Sequence, residues 1–226
     1  LVTGKNGQLG RSIHKLVNFD TKIDNNQSSN EFIFVGREEL DLSSESGISH
    51  YFDNNDKFDI IINCAAYTQV DIAEQEVEIA NQINHLAVKQ LASIASKQQA
   101  RLIHISTDYV FDGESDKPYT EIDKTNSINV YGKTKLAGEQ AVAAACRRHV
   151  ILRTSWLYSH VASNFLKTML RLAEDKRPLR VVNDQFGSPT FAWDLGSATV
   201  AVVNAIANGL GIESTKVLWN KVAIKQ

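Results

Sequence analysis

Tyr131 and Lys135 stand four residues apart in the run Tyr131-Gly132-Lys133-Thr134-Lys135. The apolar positions that follow, Leu136, Ala137, Ala141 and Val142, recur at helical spacing. The two polar residues therefore lie one turn apart on the same helix face. An ammonium beside a phenol favours the phenolate and lowers the tyrosine pKa toward neutral. Such a tyrosine can give a proton to a carbonyl oxygen as hydride arrives at the carbon. Thr107 could donate a second hydrogen bond to the same oxygen. The plainer alternative is that Tyr131 caps a helix and Lys135 is a solvated surface charge. A tyrosine and a lysine at this spacing are common, so the chemistry depends on what else the chain carries.

Thr107 follows the apolar run Leu102-Ile103-His104-Ile105. That run reads as a buried strand. Thr107 then sits at a strand's C-terminal end, where open α/β sheets place their ligands. The chain opens Leu1-Val2-Thr3-Gly4-Lys5-Asn6-Gly7-Gln8-Leu9-Gly10, with glycines at every third position after an apolar pair. Leu9, Ile13, Leu16 and Val17 give the next segment one apolar helix face. Glycines in such a turn let the backbone approach a pyrophosphate, which rests on the helix N-terminus. An ordinary glycine-rich turn is the alternative. A full first strand would need several residues before Leu1, so the N-terminus is expected to be trimmed.

Asp20 to Glu31 is polar and reads as a surface loop. Phe32-Ile33-Phe34-Val35 reads as a short buried strand, and Gly36-Arg37 follow. A cofactor's adenine ribose lies at such a strand end. Arg37 there would pair with a 2′-phosphate and favour NADP, or it is a solvated loop arginine. Glu38 and Glu39 come next and argue the other way, since a carboxylate binds the ribose hydroxyls. Asp41-Leu42 are placed beside the adenine. Phe58 to Asn63 reads as another buried strand, ending in Cys64-Ala65-Ala66-Tyr67-Thr68, whose small residues let a cofactor pass close. A helix is expected from about Glu74 to Lys97, with Asn84 in it either holding neighbouring backbone or lying on the surface. Val150-Ile151-Leu152 is a further strand, leading to Arg153-Thr154-Ser155-Trp156. The Trp156 indole either stacks on a substrate ring or fills the core. Helices are expected at Asn164 to Glu174 and about Trp193 to Asn208, with a loop at Asp184 to Thr190. Ile212 to Gln226 carries little pattern. Strands alternating with helices predict a doubly wound parallel sheet.

Composition narrows the classes. The chain has 226 residues, 43% hydrophobic content and a net charge of −2, which suits a globular protein with a real core and makes nucleic acid an unexpected partner. No apolar run approaches the length needed to span a membrane, and no secretory signal is seen at the N-terminus. Cys64 and Cys146 form no metal spacing and point to a reduced compartment, the cytoplasm.

The segments Gly4–Gly10, Asn63–Asp71, Ser106–Gly113, Asn129–Gln140, Arg153–Tyr158 and Asp184–Thr190 together resemble the dTDP-4-dehydrorhamnose reductase family of the extended short-chain dehydrogenase/reductases. The strings Ser-Thr-Asp-Tyr-Val-Phe-Asp-Gly and Tyr-Gly-Lys-Thr-Lys-Leu-Ala-Gly-Glu carry most of the likeness. The resemblance implies a Rossmann fold, reduction of the C4 ketone of dTDP-4-dehydro-L-rhamnose, and hydride from NADPH or NADH. Tyr131 would be the proton donor, Lys135 its electrostatic partner and Thr107 the second donor. Gly4, Gly7, Gln8, Leu9 and Gly10 match the pyrophosphate turn. Asp41-Leu42 and Ala65-Ala66-Tyr67-Thr68 match adenosine and ribose contacts, and Thr107, Asp108 and Trp156 match sugar-nucleotide contacts. It divides the chain into a cofactor domain, 1–158, and a partial substrate-binding region, 159–226, mixed with the last Rossmann elements. The tail Ile212–Gln226 does not resemble the family's final segment. A homodimer is left open, and the family's magnesium site is not carried over. A related branch, the regulatory subunit of methionine adenosyltransferase, keeps the fold and the tyrosine–lysine pair but lacks the Arg-Thr-Ser-Trp string found here at Arg153–Trp156. Sugar-nucleotide epimerases and dehydratases of the same superfamily carry different strings around the tyrosine.

Overall fold

The structure, a computed structural model, describes residues 1–23, 30–174, 180–209 and 214–218. Among the described residues six strands form one parallel sheet: β1 (Val2–Thr3), β2 (Phe34–Val35), β3 (Ile60–Asn63), β4 (Arg101–Thr107), β5 (His149–Thr154) and β8 (Ser214–Leu218), in the order β2-β1-β3-β4-β5-β8. The β4–β5 register sets Thr107 beside Thr154. A separate parallel pair, β6 (Leu157–Tyr158) with β7 (Thr190–Phe191), lies beyond the end of β5.

Alternation along the strands feeds two cores, because successive strand residues point to opposite faces. Leu1, Ile61, Leu102 and Ile151 face helices α2 (Glu45–Asp53), α5 (Ala87–Gln98) and α6 (Val130–Ala145) through Ile48, Phe52, Leu91 and Val142. Val2, Ile62, Ile103 and Val150 face α1 (Gln8–Ile23) and α7 (Ala192–Ala207) through Ile13, Leu195 and Val203. Helices on both faces of a parallel sheet make the doubly wound fold that the strand and helix pattern predicts. From β1 the chain turns to β2 on one side and β3 on the other, so the crevice for a ligand opens at the C-terminal ends of β1 and β3.

Several boundaries differ from the sequence reading. The second strand keeps only Phe34 and Val35, because β1 offers Val2 and Thr3 as its partners, and Ile33 stays exposed. β3 begins at Ile60 rather than Phe58. Helix α1 continues through Asp20 to Ile23, into the expected loop, whose remainder at 24–29 lies outside the described residues. The long helix expected from Glu74 is broken into α3 (Val70–Ala73), α4 (Val77–Asn81), a π turn (Gln82–Leu86) and α5. Its intended start is used elsewhere: Glu74 accepts from the Val130 N–H at 2.7 Å, and Glu76 from the Tyr67 hydroxyl at 2.7 Å. The π turn adds a residue to the helix and aims Asn84 inward, where it is 1% exposed. Part of the tail read as patternless, Ser214–Leu218, pairs with β5 as an edge strand. Its half-polar sequence hides it, since one side of an edge strand faces water.

Helix α6 is fixed to the sheet by charge as well as by apolar contact. Arg153 of β5 donates from Nε and Nη2 to the two Glu139 oxygens of α6, at 2.8 and 2.6 Å. Both side chains are buried, and the guanidinium lies 5.1 Å from the Phe111 ring centre. A bidentate pair in this setting is strong only while both partners are present. Glu139→Ala should lower the unfolding free energy by about 3–5 kcal/mol in urea, because it strands a buried guanidinium. A loss under about 1 kcal/mol would mean that the pair behaves like a surface bridge.

Candidate active site

The end of β4 and the first turn of α6 build the centre of the site. Asn129 caps α6, its Oδ1 accepting from the Gly132 N–H at 2.7 Å, and so starts the helix one residue before Tyr131. A Cβ on Gly132 would stand 2.1 Å from the Tyr109 carbonyl oxygen, so only glycine lets the helix lie this close to the 3₁₀ turn Asp108–Val110. The Tyr131 ring meets Tyr109 edge to face, with centres 5.5 Å apart. One turn on, the buried Lys135 ammonium donates to the Ile105 carbonyl at 2.6 Å. The Thr107 hydroxyl donates to Asp108 Oδ1 at 2.9 Å and accepts from the Tyr109 N–H at 3.2 Å. Thr107, Asp108, Tyr131 and Lys135 are thus gathered at one sheet edge.

Their protonation departs from the sequence expectation. An ammonium one turn away was expected to bring the phenol toward neutral pKa. Instead burial pushes the Tyr131 phenol above its ordinary value, the Asp108 charge adds to this, and the Thr107 hydroxyl opposes it. Burial also pulls Lys135 down to about 8, against the Glu139 carboxylate, which raises it. The reason is desolvation: both groups have left water, and the ammonium is hydrogen-bonded to a backbone carbonyl. At neutral pH the phenol therefore keeps its proton and the lysine keeps its charge. Burial raises the Asp108 carboxyl to about 6, with the Thr107 hydroxyl pulling back, and its Oδ2 is buried with no hydrogen bond among the described residues.

A second cluster lies at the ends of β1 and β3. Gly4 has φ +71°, and a Cβ there would come within 2.8 Å of the Ala65 nitrogen. A Cβ on Gly10 would sit 2.3 Å from the Gly4 oxygen. Gly7 closes the turn by donating to that oxygen at 2.9 Å. Helix α1 then begins at Gln8 with no acidic residue in its first turn. First-turn N–H groups lack intrahelical acceptors and favour an anion, so this cradle fits a pyrophosphate. The Leu9 side chain belongs to the core behind it. The Gln8 side chain is engaged away from the turn: Nε2 donates to the Leu157 carbonyl at 3.1 Å, and Oε1 accepts from Ser159 and Asn164 at 2.8 and 3.0 Å. Its backbone is what remains for a phosphate.

The other predicted positions divide. The Ala65 N–H donates to Thr3 Oγ1 at 3.3 Å, and both backbone groups of Tyr67 bond the Asn84 amide, at 2.9 and 3.0 Å, so the Ala65–Tyr67 loop is fixed beside the glycine turn. Ala66 is half-buried there and Thr68 is exposed. At the tip of β2, Arg37 does not turn inward. Its side chain is 77% exposed and its Nε lies 3.5 Å from Asp41 Oδ2. Glu39, also exposed, folds back on the strand tip, accepting from the Gly36 N–H at 2.8 Å and pairing with the Lys5 ammonium. Leu42 is a core residue. Trp156 is 43% exposed, two residues beyond Thr154, and has φ +45°.

Sequence reasoning missed a buried polar chain beneath the glycine turn. Thr3 Oγ1 donates to Asn63 Oδ1 at 2.7 Å, and Asn63 Nδ2 meets His104 Nδ1 at 3.2 Å. All three are buried, and burial holds His104 well below its ordinary pKa. The visible signal was a histidine inside an apolar strand run, which has to be either neutral or paired.

Comparison with known proteins agrees with this geometry. The family model described as the RmlD substrate binding domain matches residues 1–216. The dTDP-4-dehydrorhamnose reductases of Salmonella typhimurium and Escherichia coli are 41% and 42% identical to this chain, each over 92% of it and 68% of their own length. Among solved structures, the dTDP-4-dehydrorhamnose reductase of Bacillus anthracis in complex with NADP matches with a TM-score of 0.81 and 35% identity, covering 96% of this chain and 72% of that one. A Clostridium acetobutylicum ortholog matches with a TM-score of 0.82 and 34% identity over 100% of this chain and 86% of that one. A likeness that runs in order from the glycine turn to β8 is a likeness of the whole described fold, and the chain belongs to the RmlD substrate binding domain family.

Proposed function

We propose that this chain reduces the C4 ketone of dTDP-4-dehydro-L-rhamnose to dTDP-L-rhamnose, using NADPH and, less well, NADH. The observation that carries the reading is a buried phenol at the ligand edge of the sheet, one helical turn from a buried ammonium. The cofactor, when bound, supplies hydride. Backbone N–H groups of Gln8 and Leu9 hold its pyrophosphate at the glycine turn, and the Ala65–Thr68 loop borders its ribose. Tyr131 holds the proton that the substrate oxygen needs once the carbonyl becomes an alkoxide. Lys135 stabilises the phenolate left on Tyr131. Thr107 gives the same oxygen a second hydrogen bond after its hydroxyl turns from Asp108. Asp108, whose Oδ2 has no hydrogen bond among the described residues, accepts from a sugar hydroxyl, and the Trp156 indole stacks on the sugar nucleotide. Residues 1–158 hold the cofactor, and 159–226 supply part of the substrate side mixed with the last elements of the cofactor fold. Among the described residues no helix is long and apolar enough to cross a membrane, and with two free cysteines we assign the chain to the cytoplasm.

Tyr131→Phe keeps the ring and its packing while removing the proton donor. It should lower kcat by about 10²–10⁴-fold and leave NADPH binding, measured by fluorescence titration, unchanged. Retention of more than about a tenth of kcat would remove Tyr131 from this role.

Cofactor choice is set at the tip of β2, where both cations already have carboxylate partners. Arg37 has to leave Asp41 to meet a 2′-phosphate, so the preference for NADPH should be roughly ten-fold or less. Arg37→Ala should erase that preference and spare turnover with NADH. If the unmutated chain turned over NADH better than NADPH, Glu39 would become the ribose ligand and Arg37 a surface residue.

A further inference from the structure

Trp156 reaches the ligand edge on a backbone that an L-residue rarely adopts, with φ +45°. Its backbone is held from both sides. Thr107 and Thr154 are register partners, so Trp156 follows the strand end that lies beside Thr107. The loop before β7 clamps it: Ser155 Oγ donates to the Ser188 carbonyl at 2.6 Å, and the Thr190 N–H donates to the Trp156 carbonyl at 3.2 Å. These contacts lock two backbones together and leave the half-exposed indole as the part free to move. Gly187 lies directly against that indole. A Cβ built there would be 2.5 Å from Cε2, 2.7 Å from Nε1 and 2.9 Å from Cζ2. Gly187 is not among the residues with positive φ, so its backbone conformation does not call for glycine. What calls for glycine is the space occupied by the ring.

We infer that Gly187 is a positioning residue for the sugar-nucleotide site, its bare Cα forming the seat that holds the Trp156 indole beyond the C-terminal end of β5. The inference rests on the proposed reduction and on Trp156 meeting the sugar nucleotide. Any side chain at 187 drives the ring off by about 1 Å, the difference between the clash and an ordinary carbon–carbon contact. The bonds at Ser188 and Thr190 prevent the backbones from sharing that shift. Displacement of a stacking group by this much acts on substrate binding. The cofactor turn at Gly4–Gly10 and the Tyr131–Lys135 pair stand on other elements, and the Gln8 bond to the Leu157 carbonyl at 3.1 Å is made to backbone rather than to the ring.

The test is steady-state kinetics on the unmutated chain, Gly187→Ala, Trp156→Ala and the double variant, with melting temperatures for all four. Gly187→Ala should raise KM for the sugar nucleotide roughly ten-fold, with KM for NADPH and kcat within about two-fold. Trp156→Ala should raise the same KM at least as far. The double variant should be no worse than Trp156→Ala alone, since without the ring there is nothing to displace. If Gly187→Ala is too unstable to assay, the double variant should recover the melting temperature of Trp156→Ala. The inference is overturned if Gly187→Ala leaves KM unchanged while Trp156→Ala raises it, if the two effects multiply in the double variant, or if the double variant melts as low as Gly187→Ala. A Trp156→Ala variant with unchanged KM overturns the stacking reading and this inference with it, while the reduction still stands on Tyr131. Failure of the reduction itself would show separately, as absence of turnover in the unmutated chain.

Discussion

The structure depends on keeping an ammonium out of water at the junction of α6 and β4. Lys135 gives its charge one strong backbone acceptor, the Ile105 carbonyl at 2.6 Å, and is otherwise desolvated. A fall in pKa from 10.5 to about 8 corresponds to about 3 kcal/mol against the charged form. Because the folded value lies below the unfolded one, that cost is fully present below pH 8. It fades as pH rises toward 10.5. Glu139, one turn further along α6, offsets part of it and is itself held by Arg153. Glu139 therefore serves both charges: it holds Arg153 and offsets part of the Lys135 cost, and α6 cannot leave β5 without parting the buried Arg153–Glu139 pair.

That rigid seating is what gives the site its shape. With α6 fixed, the cap at Asn129 and the close approach at Gly132 decide where the Tyr131 ring sits against Tyr109. The π turn places Asn84 to hold the loop after β3 and to reach Thr134 of α6 at 3.3 Å. Gln8 joins the cofactor side to the substrate side, its backbone in the glycine turn and its amide on Leu157, Ser159 and Asn164. Phosphate cradle, proton donor and substrate loop are thus linked by hydrogen bonds between elements far apart in sequence. Preorganisation of this kind is what a proton and hydride transfer requires, since misplacement by an ångström is costly.

The strands and the three motif-bearing segments were legible because each rests on local information. Leu102–Ile105 had to be buried, Gly4–Gly10 had to turn, and Tyr131 and Lys135 had to share a helix face. What was not legible depends on contacts between distant segments. The direction of the Tyr131 pKa shift follows from burial, which no spacing reveals. The helix expected from Glu74 breaks because its first glutamates serve Val130 and Tyr67. Arg37 reads as the residue at the tip of β2, yet Glu39 is the one that bonds there, reaching the Gly36 N–H three residues back. The edge strand β8 exists because β5 has a free side to pair, not because Ser214–Leu218 announces it.

In the proposed reaction a charged, buried Lys135 supports proton delivery by a protonated Tyr131. The pH dependence of kcat/KM for dTDP-4-dehydro-L-rhamnose with NADPH checks this, because it reports the groups of the enzyme before the sugar nucleotide binds. Turnover should hold through neutral pH and fall as Lys135 loses its proton near pH 8, a limb that disappears, at much lower activity, in Lys135→Met. Activity undiminished well above pH 8, or an alkaline limb that persists in Lys135→Met, would contradict it.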